Sequence, residues 1–169
     1  SWRVKERLKE IAMRLEQLTP QHLPAVRSIS KITDDWLEYT DDEFFAVFSQ
    51  FTGWAIIHEG LVVGYIVLSD YKPYRDVSVH VSVLPEYHRR WLTRSIYNEV
   101  FGFIFEYLRV PRCSSWTFGS MGAPEFLKRL GFKYEGTVRS SYIHRGEWID
   151  THLFGMLPNE RLQMKQSNL

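Results

Sequence analysis

The segment from Leu92 to Leu108 constrains the fold more than any other part of the chain. Leu92, Ile96, Val100, Ile104 and Leu108 recur at every fourth position, which draws one apolar stripe along a helix. Val110-Pro111 then stops it, because proline lacks an N–H and its ring clashes with the preceding turn. Strand-like stretches stand on either side, Asp76 to Leu84 (closed by Pro85) and Ser114 to Phe118. A long helix between two strands is the crossover of a parallel pair.

Hairpins flank that unit. Trp54 to His58 and Leu61 to Leu68 surround Glu59-Gly60, and Tyr134 to Ile143 and Trp148 to Leu157 surround Arg145-Gly146. Such turns join antiparallel strands, so the sheet is expected to be mixed. Upstream, Leu23, Val26 and Ile29 mark a helix over 21–32, after a short strand over 13–19 closed by Pro20. The acidic stretch 34–40 reads as irregular, and 41–51 as a helix capped by Asp41 or Asp42 and buried through Phe44, Phe45 and Phe48. Ala123 to Leu130 reads as a helix ended by Gly131. In front of all this, Val4, Leu8, Ile11 and Ala12 lie at helical spacing among Arg3, Lys5, Arg7 and Lys9. The expected organisation is an amphipathic helical extension over 1–12, one domain over 13–158 and a polar, fraying tail over 159–169.

The 169 residues suit one domain, and 44% hydrophobic with 15% aromatic content supplies a core. A net charge of +1 gives no overall field for nucleic acid or a membrane surface. No apolar run reaches spanning length, and the charged opening carries no signal-peptide pattern. Cys113 is the single cysteine, which excludes an intrachain disulfide and a cysteine-based zinc site. A reducing compartment is the expectation: cytoplasm, or a virion if the gene is phage-borne.

The element order and two stretches of sequence resemble the GNAT N-acyltransferase superfamily, nearest its ribosomal-protein N-terminal acetyltransferase branch. One stretch is Val81-Ser82-Val83-Leu84-Pro85-Glu86-Tyr87-His88-Arg89-Arg90, similar to the family's central strand and the start of its cofactor loop. The other is Phe126-Leu127-Lys128-Arg129-Leu130-Gly131-Phe132-Lys133-Tyr134-Glu135-Gly136-Thr137, followed by Gly146-Glu147-Trp148-Ile149-Asp150, Leu153 and Gly155. The resemblance covers 13–158. It implies a three-layer α/β (α+β mixed-sheet) fold with acetyl-CoA in a split between two parallel strands. Its pantetheine would pair with backbone at Val83 and Leu84, and its pyrophosphate would lie on N–H groups at the following helix start. The family loop there carries Arg or Gln, then Gly, then Gly or Ala. This chain reads His88-Arg89-Arg90-Trp91-Leu92-Thr93, with an indole and a threonine where small residues let backbone approach phosphate. His88, Arg89 and Arg90 remain able to hold an anion by side chain. Ser120 stands at the family's second cofactor contact, Leu127 where a tyrosine acid is common, and Ser78 where a strand glutamate is common.

N-acetyl transfer needs a deprotonated amine, a positioned thioester and a donor to the oxyanion. On the strand 76–84, Ser78, His80 and Ser82 share one side and Val77, Val79, Val81 and Val83 the other. His80 is the candidate base; the plainer alternative is a core histidine bonded to a serine. Trp36, Glu38 and Tyr39 lie where the family forms its acceptor lip, and the acidic charge there would attract an amine; a solvated loop is the alternative. Two functions follow: a degenerate GNAT domain with weak or no acetyl-CoA binding, serving as a binding or structural module, or an active acetyl-CoA-dependent transferase with an unusual loop. The apolar stripe of the first helix favours a protein partner or self-association over nucleic acid.

Overall fold

The computed structural model describes residues 1–118 and 123–162. Seven strands form one sheet in the order β1-β2-β3-β4-β5-β7-β6. They are β1 (Arg14–Gln17), β2 (Thr52–His58), β3 (Leu61–Lys72), β4 (Asp76–Val83), β5 (Cys113–Phe118), β6 (Lys133–His144) and β7 (Glu147–Met156). The helices are α1 (Trp2–Ile11), α2 (Leu23–Ile32), α3 (Asp41–Phe48), α4 (Arg94–Gly102) and α5 (Ala123–Leu130). β4 and β5 run parallel and the other neighbours antiparallel, so the mixed sheet built on a crossover is present. Both hairpin turns place a pair of residues in the left-handed region, Glu59 and Gly60 at φ 51° and 76°, Arg145 and Gly146 at 50° and 80°. That pairing matches the twist of adjoining strands.

The sheet separates two cores. Val77, Val79 and Val83 of β4 pack with Ile96, Val100 and Ile104, and with Leu127 and Leu130 of α5. On the other face Tyr65 and Val67 of β3 meet Leu23, Val26 and Ile29 of α2 and Phe44 and Phe48 of α3. The strict alternation of β4 is therefore real: valines face α4, and Ser78, His80 and Ser82 face the α2–α3 side.

Several boundaries differ from expectation. α3 is capped by Thr40, not Asp41 or Asp42: the Thr40 hydroxyl accepts from the Glu43 N–H, and Glu43 accepts from the Thr40 N–H. Asp41 instead pairs with Arg27 and Lys31. α4 starts at Arg94, because Thr93 accepts from the Ile96 N–H as its N-cap. Its last turn widens into a π-helical segment over Phe103–Tyr107. The tail does not fray at once. Arg161 pairs with Glu106, Lys133 with Glu160, and the Leu162 N–H donates to the Tyr97 hydroxyl. The first helix is not covered by its own domain: Trp2, Val4 and Leu8 are 74%, 55% and 61% exposed. The Ile11 side chain lies outside the described set.

Candidate functional site

The parallel pair does not stay paired. Its ladder holds Val77 opposite Cys113 and Ser78 opposite Ser114 and goes no further. Beyond it the Ser115 hydroxyl donates to the Val79 carbonyl at 3.0 Å, and β5 continues against β7 alone. Ser78 thus forms the last rung, and the cleft begins past it, bounded by His80 to Val83 on one strand and by Trp116 and Thr117 on the other.

At the cleft's end near α4, several polar groups are paired within the chain. The His88 imidazole donates from Nε2 to the Val83 carbonyl at 2.8 Å. The Arg90 and Trp91 N–H groups both donate to the Tyr87 carbonyl. Trp91 is 3% exposed and Leu92 8%, both within the larger core, and the Trp91 ring lies 6.0 Å from that of Phe126 on α5. Trp91 is therefore a core residue. Its indole is turned inward, and Thr93 is a helix cap. Arg89 and Arg90 are exposed, with the Arg90 guanidinium over the Tyr87 ring. Leu127 is buried. Ser120 lies outside the described residues. A phosphate cradle needs free, convergent N–H groups, and the Val83 carbonyl would have to accept from a pantetheine amide. The Val83 carbonyl and the Arg90 and Trp91 N–H groups already have partners, so these three do not serve acetyl-CoA in that manner.

The opposite wall is built differently. Residues 33–40 form a lip between α2 and α3, and Arg27 holds it from beneath. Its guanidinium donates to the carbonyls of Trp36 (3.0 Å) and Tyr39 (2.6 Å) and to Asp41 (2.8 Å), and it covers the Phe44 ring. Within the lip Asp34 and Trp36 take left-handed backbone, φ 56° and 59°. For a bulky residue that is a strained state, costing about 1–3 kcal/mol. The lip meets β4 where the Ser82 hydroxyl donates to Asp35 at 2.9 Å. It meets the β6–β7 hairpin where the Tyr142 hydroxyl donates to Glu38 at 2.8 Å and Arg145 pairs with Asp34 at 2.6 Å.

Aromatic rings pack between the lip, β4 and the hairpin. His80 lies between Trp36 (5.8 Å) and Trp116 (5.5 Å), and Tyr142 packs on Trp116 (5.3 Å) and Phe118 (4.7 Å). Burial pushes the His80 imidazole down to about 4, against the pull of Asp70. The Ser69 hydroxyl donates to Asp70, so His80 donates from Nε2 to Ser69 at 3.0 Å. A base so weakened is a poor match to neutral pH; His80 is a neutral, hydrogen-bonded wall residue. Burial pushes Asp35 the other way, up to about 6, with Ser82 opposing and Glu38 adding to the rise. The structure places Trp36, Tyr39 and Glu38 of the lip near His80 and Ser82 of β4. Arg27, Asp35, Tyr65 and Tyr142 were missed. Asp35 sat unmarked in the acidic run, and Arg27 at a core-facing helix position was the readable signal of a buried anchor.

With this geometry in hand, the likeness to solved proteins is informative. Spermidine/spermine N-acetyltransferase SpeG from Vibrio cholerae matches with a TM-score of 0.69 at 16% identity, over 86% of this chain and 92% of that one. A GNAT-family acetyltransferase from Bacillus anthracis matches with a TM-score of 0.67 at 15% identity, over 86% and 95%. A chimera of Vibrio cholerae SpeG and hSSAT reaches 0.71 at 14% identity, over 88% and 96%. The chain has the fold of GNAT acetyltransferases. None of these three singles out the ribosomal-protein branch. No family model matches the sequence, and no curated protein does.

Proposed function

We propose that this chain keeps the acceptor half of an N-acetyltransferase and has closed the donor half, so that it binds a cationic amine and binds acetyl-CoA weakly or not at all. The observation that carries this reading is the self-pairing of the donor end: His88 on the Val83 carbonyl, and the Arg90 and Trp91 N–H groups on the Tyr87 carbonyl. The acceptor end supports the other half. Asp35 and Glu38 bring negative charge to an aromatic-lined cleft, which favours an alkylammonium through ion pairing and ring contact. Several structural neighbours act on spermidine by name, and a polyamine is the natural first ligand to try.

Melting the protein with and without ligand tests the reading. Spermidine should raise the melting temperature, and acetyl-CoA should leave it unchanged. A ligand present at about 1,000 times its dissociation constant stabilises by about 4 kcal/mol, so a true cofactor would be plain to see.

One observation favours a second reading, an active transferase with an unusual loop. β4 and β5 part beyond Ser78, giving the split in which a thioester could be held. Acetyl transfer to spermidine, followed by thiol release, would decide for it.

A further inference from the structure

Behind the Ser82–Asp35 hydrogen bond lie two buried polar groups without a partner. Tyr65 of β3 is fully buried, at 0% exposure. Its hydroxyl approaches the Ser82 and Trp36 side chains without closing a good hydrogen bond to either, and the Trp36 Nε1 is likewise buried without a partner. An indole N–H only donates, so the Trp36 side chain offers a donor and no acceptor. The Ser82 proton is spent on Asp35, which leaves the Ser82 oxygen as an acceptor beside the unpartnered Tyr65 hydroxyl.

The Asp35 carboxylate has no cation paired to it among the described residues. The buried guanidinium of the region, Arg27, is spent on Trp36, Tyr39 and Asp41. The titratable groups acting on Asp35 are Glu38 on the lip and His144 on β6, while Asp35 itself acts on the phenols Tyr65 on β3 and Tyr142 on β6. A half-buried carboxylate held by one hydroxyl, with no cation paired to it, is an incomplete ion pair.

We propose that Asp35 is the anchor of the cleft, taking the ligand's primary ammonium directly, with Ser82, Tyr65 and Trp36 as positioning residues that hold the carboxylate toward it. This rests on the amine reading above and names the group that performs it. It also replaces His80 as the acceptor-side residue of consequence. Because the contact is a charge-assisted hydrogen bond, the site prefers a primary ammonium to a quaternary one, although the aromatic walls would accept either.

Calorimetric titration with n-butylamine and with tetramethylammonium, from pH 5 to 8, tests this. Wild type should bind n-butylamine at least tenfold more tightly than tetramethylammonium, with affinity rising as Asp35 ionises. Asp35→Asn should weaken n-butylamine by at least tenfold at pH 7.5 and flatten the pH profile. Tyr65→Phe and Ser82→Ala keep the carboxylate but remove donors behind it, so the midpoint of the profile should move to higher pH. A purely structural role would not move it, and these two variants carry the test if Asp35→Asn does not fold. Wild-type-like affinity and an unchanged profile in folded Asp35→Asn would overturn the anchor while leaving amine binding intact. If wild type bound no amine at any pH, the amine reading and the anchor would fall together.

Discussion

The two ends of the cleft treat their polar groups in opposite ways. At the donor end, near α4, His88 holds the Val83 carbonyl, the Arg90 and Trp91 N–H groups meet the Tyr87 carbonyl, the indole of Trp91 is buried in the core, and Thr93 caps its helix. At the acceptor end, Tyr65 and Trp36 carry unpartnered polar atoms, Asp35 is half-buried with no cation paired to it, and Asp34 and Trp36 sit in left-handed backbone. Strain and unmet hydrogen bonds cost stability and persist where something else depends on them. That difference is what supports the proposal of an amine site at the lip and hairpin.

The largest expected effect breaks the donor end. Replacing Trp91 with Ala removes a buried indole and should cost about 3–5 kcal/mol, read by denaturant titration. It should bring no gain in acetyl-CoA affinity, because the indole is a core element and not a plug in a formed cradle. Stability within about 1 kcal/mol of wild type would show that Trp91 is not a core element.

At the acceptor end, Asp35 and His80 impose opposite slopes on stability. The raised Asp35 value, about 6 against 3.8, means the folded state holds that proton more tightly, so stability falls as pH rises from about 4 to 6. The lowered His80 value, about 4 against 6.5, means the unfolded state takes up that proton first, so stability rises over about pH 4 to 6.5. Each effect is on the order of 3 kcal/mol, and in wild type they offset. His80→Gln should expose the first slope and Asp35→Asn the second. Melting curves at pH 4.5, 5.5 and 6.5 check both; parallel profiles for the two variants would show that neither group titrates as its burial requires.

A smaller effect concerns the clasp between lip and hairpin. Tyr142→Phe removes the donor to Glu38 and should cost about 0.5–1.5 kcal/mol. Amide exchange in residues 33–40 should rise with it. The smallest effect lies farthest from the cleft. Deleting residues 1–12 should change stability by less than about 0.5 kcal/mol, since Trp2, Val4 and Leu8 make no core. Its readout is mass in solution: a fall would mean that α1 joins copies.

Much of this was legible in the sequence because it follows from local pattern. The period of four in 92–108, the period of two in Ser78, His80 and Ser82, and the turns Glu59-Gly60 and Arg145-Gly146 each have a short-range cause. The site was less legible because it depends on distant meetings. Ser82 reaches Asp35 across 47 positions of sequence and Tyr142 reaches Glu38 across 104. Tyr65 reads as an ordinary core aromatic until its hydroxyl is found without a partner. Thr40, Asp41 and Asp42 are all competent caps on paper; Arg27 claims Asp41, and Thr40 makes the bond.

The most direct measurement is a pair of calorimetric titrations on one sample of the folded protein, with acetyl-CoA and with n-butylamine. A closed donor end beside a competent acceptor end requires saturable heat with the amine and none with acetyl-CoA. Micromolar binding of acetyl-CoA, with or without the amine, would contradict it.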